Sequence, residues 1–165
     1  TLPCLPGARP CSPKDFGHGS VVCVCNATYC DTLDPLVLPG PGSYVKYESS
    51  KAGKRLERSE GRFQSSLRTP GVLLTINIST LYQHVKGFGG SLSDSAAMNI
   101  LKLSQPAQDN LLRSYFSESG IEYNLVRVPM ACSDFSVRPY SYDEFPDDYE
   151  LKHFSLADED VKMKV

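Results

Sequence analysis

The chain has 165 residues, a formal net charge of −2 and 41% hydrophobic side chains. That is room for one domain with a core or for parts of two, and the absence of a basic stripe argues against nucleic acid as the main partner. No run approaches the roughly 18 apolar residues of a membrane span, and no signal-peptide pattern is visible.

Residues 1–42 are rich in Pro, Gly and Cys, and Val21 to Val24 is their one strand-like run. Five of the six cysteines (Cys4, Cys11, Cys23, Cys25, Cys30) fall in the first 30 residues, and Cys132 stands apart. Such density reads as disulfide staples made in an oxidising compartment. The rival is a zinc knuckle on Cys23, Cys25 and Cys30. Zinc ligands pair at wider spacing than Cys23-Val24-Cys25, and His18 has no partner at ligand distance, so no metal is expected. Asn26-Ala27-Thr28 and Asn77-Ile78-Ser79 are N-glycosylation sequons, which together with the cysteines favour the secretory route. Asp31 to Ser43 is punctuated by prolines and reads as a linker.

In residues 44–82 the pattern becomes β-like. Tyr44 and Lys46 alternate with Val45 and Tyr47, and Gly71 to Thr80 is a second β-rich run. The charged stretch between them, Lys51 to Arg62, reads as a turn with solvated flanks. After residue 83 a short strand, a glycine cluster (Gly87 to Gly90) and a helix are expected. Ser93 is placed to cap that helix. Ser104 is placed to cap a second helix, with Pro106 in its first turn and Gly120 ending it.

Next comes Tyr123-Asn-Leu-Val-Arg-Val-Pro-Met130, a strand apolar on both faces. Strand, helices, strand is a βαβ unit with parallel strands, and a parallel strand covered on both faces reads as a continuous apolar run. A guanidinium there, Arg127, then needs acceptors. The carboxylates of residues 143–160 read as solvated loop charges, with a helix starting at Ser155. A lone βαβ unit cannot bury its sheet, so the chain is expected to be the front part of a longer protein.

Five blocks carry a resemblance: Ala8 to Gly17, Ser20 to Asp31, Val85 to Leu101, Leu103 to Ser136 and Pro146 to Leu156. In these the chain resembles the glucosylceramidases of glycoside hydrolase family 30. The resemblance implies an α/β fold: the start of a (β/α)8 TIM barrel, preceded by a disulfide-pinned antiparallel β segment and part of an immunoglobulin-like β unit. It implies four parts: residues 1–7 a leader or extension, 8–34 the disulfide segment, 35–82 the immunoglobulin-like part, and 83–165 the first βα units of the barrel. It also implies the disulfides Cys11–Cys23 and Cys25–Cys30; Asn26 matches a family glycosylation site and Asn77 does not, and as sequons both are expected to carry glycans.

The implied activity is the retaining hydrolysis of glucosylceramide by two glutamates, one within an Asn-Glu-Pro that this sequence lacks. No catalytic residue and no cofactor is therefore expected in the chain. Arg127 would support the active site, Asp134 would accept hydrogen bonds from glucose hydroxyls, and Phe135 would line the pocket. The family's lysosomal setting implies saposin C, anionic phospholipid surfaces and a lysosomal membrane receptor as partners. A reading from another class is a catalytically inactive secreted fragment that acts as a binding module.

Overall fold

A computed structural model describes residues 8–65 and 71–164. The expected leader or extension, residues 1–7, and with it Cys4, lies outside the described residues. The chain divides into two compact units, one holding residues 8–12, 24–34 and 87–164, the other residues 13–23, 35–65 and 71–86.

The second unit is built from hairpins. β1 (Pro13–Asp15) pairs antiparallel with β2 (Val21–Cys23), Pro13 opposite Cys23. Gly17 and Gly19 between them adopt φ of +81° and +72°, a backbone region that costs glycine nothing. β3 (Ser43–Glu48) pairs antiparallel with β4 (Glu57–Arg62), from Ser43 opposite Arg62 to Glu48 opposite Glu57.

Here the structure differs from the sequence reading twice. The charged stretch contributes a strand, Glu57–Arg62, and not only a turn. Its side chains are mostly exposed, so a strand of alternating charge satisfies its backbone in the ladder without needing an apolar face. Gly61 leaves room for a neighbour, since a Cβ there would stand 2.4 Å from the Tyr44 ring. Tyr44 in turn packs on Phe63, with ring centroids 5.5 Å apart. Conversely, residues 71–80 form no strand despite their β-rich composition. Val72, Leu74, Ile76 and Ile78 are 82–90% exposed. Propensity makes a strand only where a ladder accepts its N–H and C=O groups.

The first unit carries a βαβ arrangement. β5 (Gly89–Ser91) and β6 (Leu125–Arg127) are parallel, with Gly89 opposite Leu125 and Ser91 opposite Arg127. Helices α1 (Asp94–Leu101) and α2 (Gln105–Phe116) form the crossover between them. β5 falls on the glycine cluster itself and not before it. A Cβ on Gly89 would stand 1.7 Å from the Leu125 carbonyl oxygen, so only glycine permits this approach of the two backbones.

Ser93 caps α1 by accepting from the Ala96 N–H at 3.3 Å. Ser104 occupies the same place before α2, but its hydroxyl makes no capping bond. Gly120 does not end α2, whose cap is Ser117. It lets the chain fold back over the last turn instead, where a Cβ would stand 2.2 Å from the Ser114 carbonyl. The Cys25–Cys30 bond, with Cα atoms 4.3 Å apart, closes a loop against α2. Asn110 donates to the Asn26 carbonyl at 2.8 Å, and Cys30 lies buried with its sulfur 3.4 Å from Ser114 Oγ. Cys11 and Cys23 are each disulfide-bonded too.

The last helical segment starts later than Ser155. It includes a π-helical turn, Asp160–Lys164, and Asp160 Oδ2 caps the Ala157 N–H at 3.2 Å. None of the helices is long and apolar enough to cross a membrane, among the described residues.

The two serine caps separate in a measurement on the complete protein. Ser93→Ala should cost about 1 kcal/mol of helix stability, and speed amide exchange at Ala96. Ser104→Ala should leave the first turn of α2 close to its original exchange rate. Equal effects at the two positions would contradict the cap geometry.

Candidate functional site

The parallel pairing brings the carboxyl ends of two strands to one place. β5 ends at Ser91 and β6 at Arg127, and these residues are register partners. Leu92 N donates to the Arg127 carbonyl at 3.0 Å as the chain leaves β5. Beyond β6 the chain passes buried Pro129 and turns at Ala131, whose φ of +56° is uncommon for a residue with a Cβ. It then forms the tight turn Ser133–Ser136, in which Ser136 N donates to the Ser133 carbonyl at 3.0 Å.

Between these strand ends lies an open cleft of about 530 Å³, lined by Ser91, Ser93, Arg127, Pro129, Ser133, Asp134 and Phe135. Its charged side chains are one cation, Arg127, and one anion, Asp134. The lining suits a neutral, hydroxyl-rich ligand: serine hydroxyls, a carboxylate acceptor, a guanidinium donor and an aromatic ring that is 68% exposed. In open and closed α/β sheets, ligands are bound at this end of parallel strands.

All three sequence-predicted cleft residues therefore meet in one place. Arg127 makes no ion pair among the described residues, and the Asp134 carboxylate has no protein partner among them. Asn26 and Asn77 are both exposed. Asn26 Oδ1 accepts from Thr28 N and Thr28 Oγ1, at 2.8 and 3.0 Å. Asn77 Oδ1 accepts from Ser79 N at 3.0 Å.

The segment from Pro129 to Ser136 is bonded to a polar cluster that sequence reasoning missed. Asp94, in the first turn of α1, is 1% exposed. Among the described residues its Oδ1 meets only the Lys164 ammonium, at 2.9 Å. Its Oδ2 accepts from Tyr140 OH at 2.8 Å and from Ser136 Oγ at 2.6 Å. Lys164 also meets Asp160 Oδ1 at 3.1 Å, and donates to the Pro129 carbonyl and to Tyr140. Asp160 accepts in addition from Tyr142 OH.

The carboxylates near the chain's end are thus not all solvated, as the sequence reading had it. Asp160 and Glu159 are buried, and Glu159 takes a two-pronged pair from Arg138 at 2.8 and 2.9 Å. The available signals were Asp94 at a helix start and the i, i+4 spacing of Asp160 and Lys164. Neither says that the pair is buried.

Burial works against every charge in this cluster. It would raise the Asp94 carboxyl, but donation from Ser136, Lys164 and Tyr140 outweighs it and holds that group below the usual range. Burial opposes ionised Asp160 likewise, and Tyr142 and Lys164 reverse it. Burial would lower the Lys164 ammonium, whereas Asp94, Tyr140 and Asp160 hold it well above the ordinary lysine value.

Residues 85–165 match the glycosyl hydrolase family 30 TIM-barrel domain. Over 159 residues, 96% of this chain and 31% of the relative, the chain is 55% identical to lysosomal acid glucosylceramidase of Mus musculus. Over 160 residues, 94% of this chain and 31% of the relative, it is 43% identical to "Putative glucosylceramidase 3" of Caenorhabditis elegans. A shorter match, 32% identity over 78 residues, 46% of this chain and 16% of the relative, reaches endo-1,6-beta-D-glucanase of Neurospora crassa. The chain spans about a third of the length of the glucosylceramidases that it matches.

The cluster sets a pH window. Depressed carboxylates contribute stability that is present above their ordinary value, about 3.9 for Asp, and is lost as pH falls through the folded value. The raised ammonium contributes stability that is present below about 10.4 and is lost as pH rises through its folded value. In the complete protein, Lys164→Met leaves Asp94 buried without its cation, and should lower the melting temperature by several degrees at neutral pH. The deficit should shrink as acid protonates Asp94 in the variant. A deficit that grew toward acid pH would show that the cluster is not held by these charges.

Proposed function

We propose that this chain forms part of a retaining β-glucosidase of glycosyl hydrolase family 30, on the match of residues 85–165 to that family's TIM-barrel domain and the 55% identity to lysosomal acid glucosylceramidase over 96% of the chain. Its reaction is the hydrolysis of glucosylceramide to glucose and ceramide. The observation that carries the reading is the cleft at the carboxyl ends of β5 and β6, where Arg127, Asp134 and Phe135 converge.

Retaining hydrolysis uses a carboxyl pair about 5–5.5 Å apart, one as acid/base and one as nucleophile. The cleft lining described here holds a single carboxylate, Asp134. In this reading the two reacting glutamates belong to other parts of the complete protein, and this chain binds the sugar. Asp134 accepts hydrogen bonds from glucose hydroxyls, and a carboxylate acceptor makes such bonds charge-assisted. Phe135 gives the sugar an apolar surface at the pocket wall. Arg127 orients a catalytic carboxylate from the end of β6.

The rest of the architecture follows the same reading. β5, the two helices and β6 open a (β/α)8 barrel. The β3–β4 hairpin and the apolar run Val72 to Ile78 belong to an immunoglobulin-like unit, whose further strands cover that run. Cys11 pairs with Cys23, and glycans sit on Asn26 and Asn77, both exposed sequons. The protein reaches the lysosome by the secretory route on a membrane receptor, and works at anionic phospholipid surfaces with saposin C. Identity of 55% to an enzyme weighs against a purely binding module.

The test is Asp134→Ala in the complete enzyme. Two charge-assisted hydrogen bonds at about 1.5–3 kcal/mol each, imperfectly additive, should lower kcat/KM on a glucoside by roughly a hundredfold or more. The thermal melt should stay near that of the parent, since the carboxylate is exposed and unpartnered. Asp134→Asn should fall between the two. Kinetics like the parent's in the Ala variant would reduce Asp134 to a loop residue.

Glycan and disulfide assignments have their own check. Peptide maps of the secreted protein should show Cys11 linked to Cys23, Cys25 linked to Cys30, and mass shifts on glycosidase treatment at Asn26 and Asn77. Free thiols at the four cysteines would overturn the disulfide reading.

A further inference from the structure

We propose that the hydrogen bond from Ser136 to buried Asp94 is a positioning device for the cleft, making Ser136 a residue that sets where Asp134 and Phe135 stand. The proposal rests on the reading of those two residues as sugar contacts.

Asp134 and Phe135 are themselves poorly held. Both are exposed, and neither side chain finds a polar partner among the described residues. Their position comes from the turn on which they ride, Ser133–Ser136. Two attachments tie that turn to the start of α1. The Phe135 carbonyl accepts from Ser95 N at 2.9 Å and from Ser95 Oγ at 2.6 Å. The Ser136 hydroxyl donates to Asp94 Oδ2 at 2.6 Å and accepts from Ser133 N at 2.9 Å. One hydroxyl therefore closes the turn internally and fastens it to a buried anion.

That anion is a firm anchor. Asp94 is 1% exposed and is fixed by Lys164 and Tyr140. Lys164 holds the other side of the same segment by donating to the Pro129 carbonyl at 3.3 Å. The chain from Pro129 to Ser136 is thus gripped at both ends by one ion pair, and the two sugar-facing residues lie in its span. An exposed turn needs such a device, because it lacks the burial that would otherwise fix it. A hydrogen bond to a buried carboxylate is also directional and charge-assisted, so it fixes geometry and not only depth.

The experiment uses the complete enzyme and removes the link while leaving the Lys164 and Tyr140 contacts of Asp94 in place. Ser136→Ala should lower kcat/KM on a fluorogenic glucoside about tenfold, and should lower the melting temperature by a few degrees, since Asp94 loses one of its donors. Ser136→Thr keeps a hydroxyl and should restore most of the loss. The decisive arm is a double-mutant cycle with Asp134→Ala. If Ser136 acts by placing Asp134, adding Ser136→Ala to Asp134→Ala should cost little more. Parental kinetics in Ser136→Ala, a loss that adds in full to that of Asp134→Ala, or a loss that follows a collapsed melt with no rescue by Thr would each overturn the proposal. Parental kinetics in Asp134→Ala alone would instead overturn the sugar-contact reading, a separate result.

Discussion

The ion pair between Lys164 and Asp94 is the constraint on which the first unit depends. Both side chains are 2% exposed, and together they join three stretches that are distant in sequence: the start of α1, the segment after β6, and the π-helical turn near residue 160. A buried ion pair is weak evidence for net stability, since an apolar replacement can do as well. Its strength here is in specifying geometry. Each remaining lone pair on Asp94 Oδ2 has a donor, and the Lys164 ammonium reaches a carbonyl, a phenol and two carboxylates. A register slip of the last helical segment would leave a desolvated charge alone, so one arrangement is favoured over its neighbours.

The cleft follows from that anchoring together with a steric requirement in the strands. Gly89 allows β5 to lie against the Leu125 carbonyl, which sets the parallel register and brings Ser91 opposite Arg127. From there the two chains diverge, one into the Ser93 cap and α1, the other through Ala131 to the turn at Ser133–Ser136. The divergence opens a space at the strand ends, and the ion pair holds the segment from Pro129 to Ser136 that forms one of its walls. Chemistry-bearing residues thus stand on short exposed loops while the parts that hold them are buried, a division of labour common to α/β folds.

The sequence was legible where local chemistry decides the outcome. Ser93 and Ser104 were readable as helix starts because capping is a local preference, and Pro106 confirms the second start by its missing N–H. The parallel pair was readable from order and composition: strand, two helices, strand. Legibility failed where a distant partner decides. Gly71 to Thr80 has strand composition but no ladder partner among the described residues, whereas polar Glu57–Arg62 has one and forms β4. Gly120 looked like a helix terminator because glycine most often serves there. Its actual service, a close passage over Ser114, depends on tertiary contact. At the site, Arg127, Asp134 and Phe135 were placed through a family resemblance and not by periodicity. Asp94, Ser136 and Lys164 were missed because burial of a charged residue is not written in its neighbours.

The same cluster bears on where such a cleft can work. An enzyme acting in the acidic compartment proposed here must hold its scaffold at a pH close to the ordinary carboxylate range, where a carboxylate of ordinary pKa begins to lose its charge. Asp94 and Asp160 are both held below that range by the donors that surround them, and Lys164 is held above its own. Acidification therefore reaches solvated carboxylates first and this cluster late. Asp134 is exposed and has no such donors among the described residues, so the donors that enclose the anchor do not extend to the residue proposed to meet the sugar. The arrangement separates two roles: the scaffold's charges are enclosed by donors, while the residue proposed to face the ligand stands in contact with solvent.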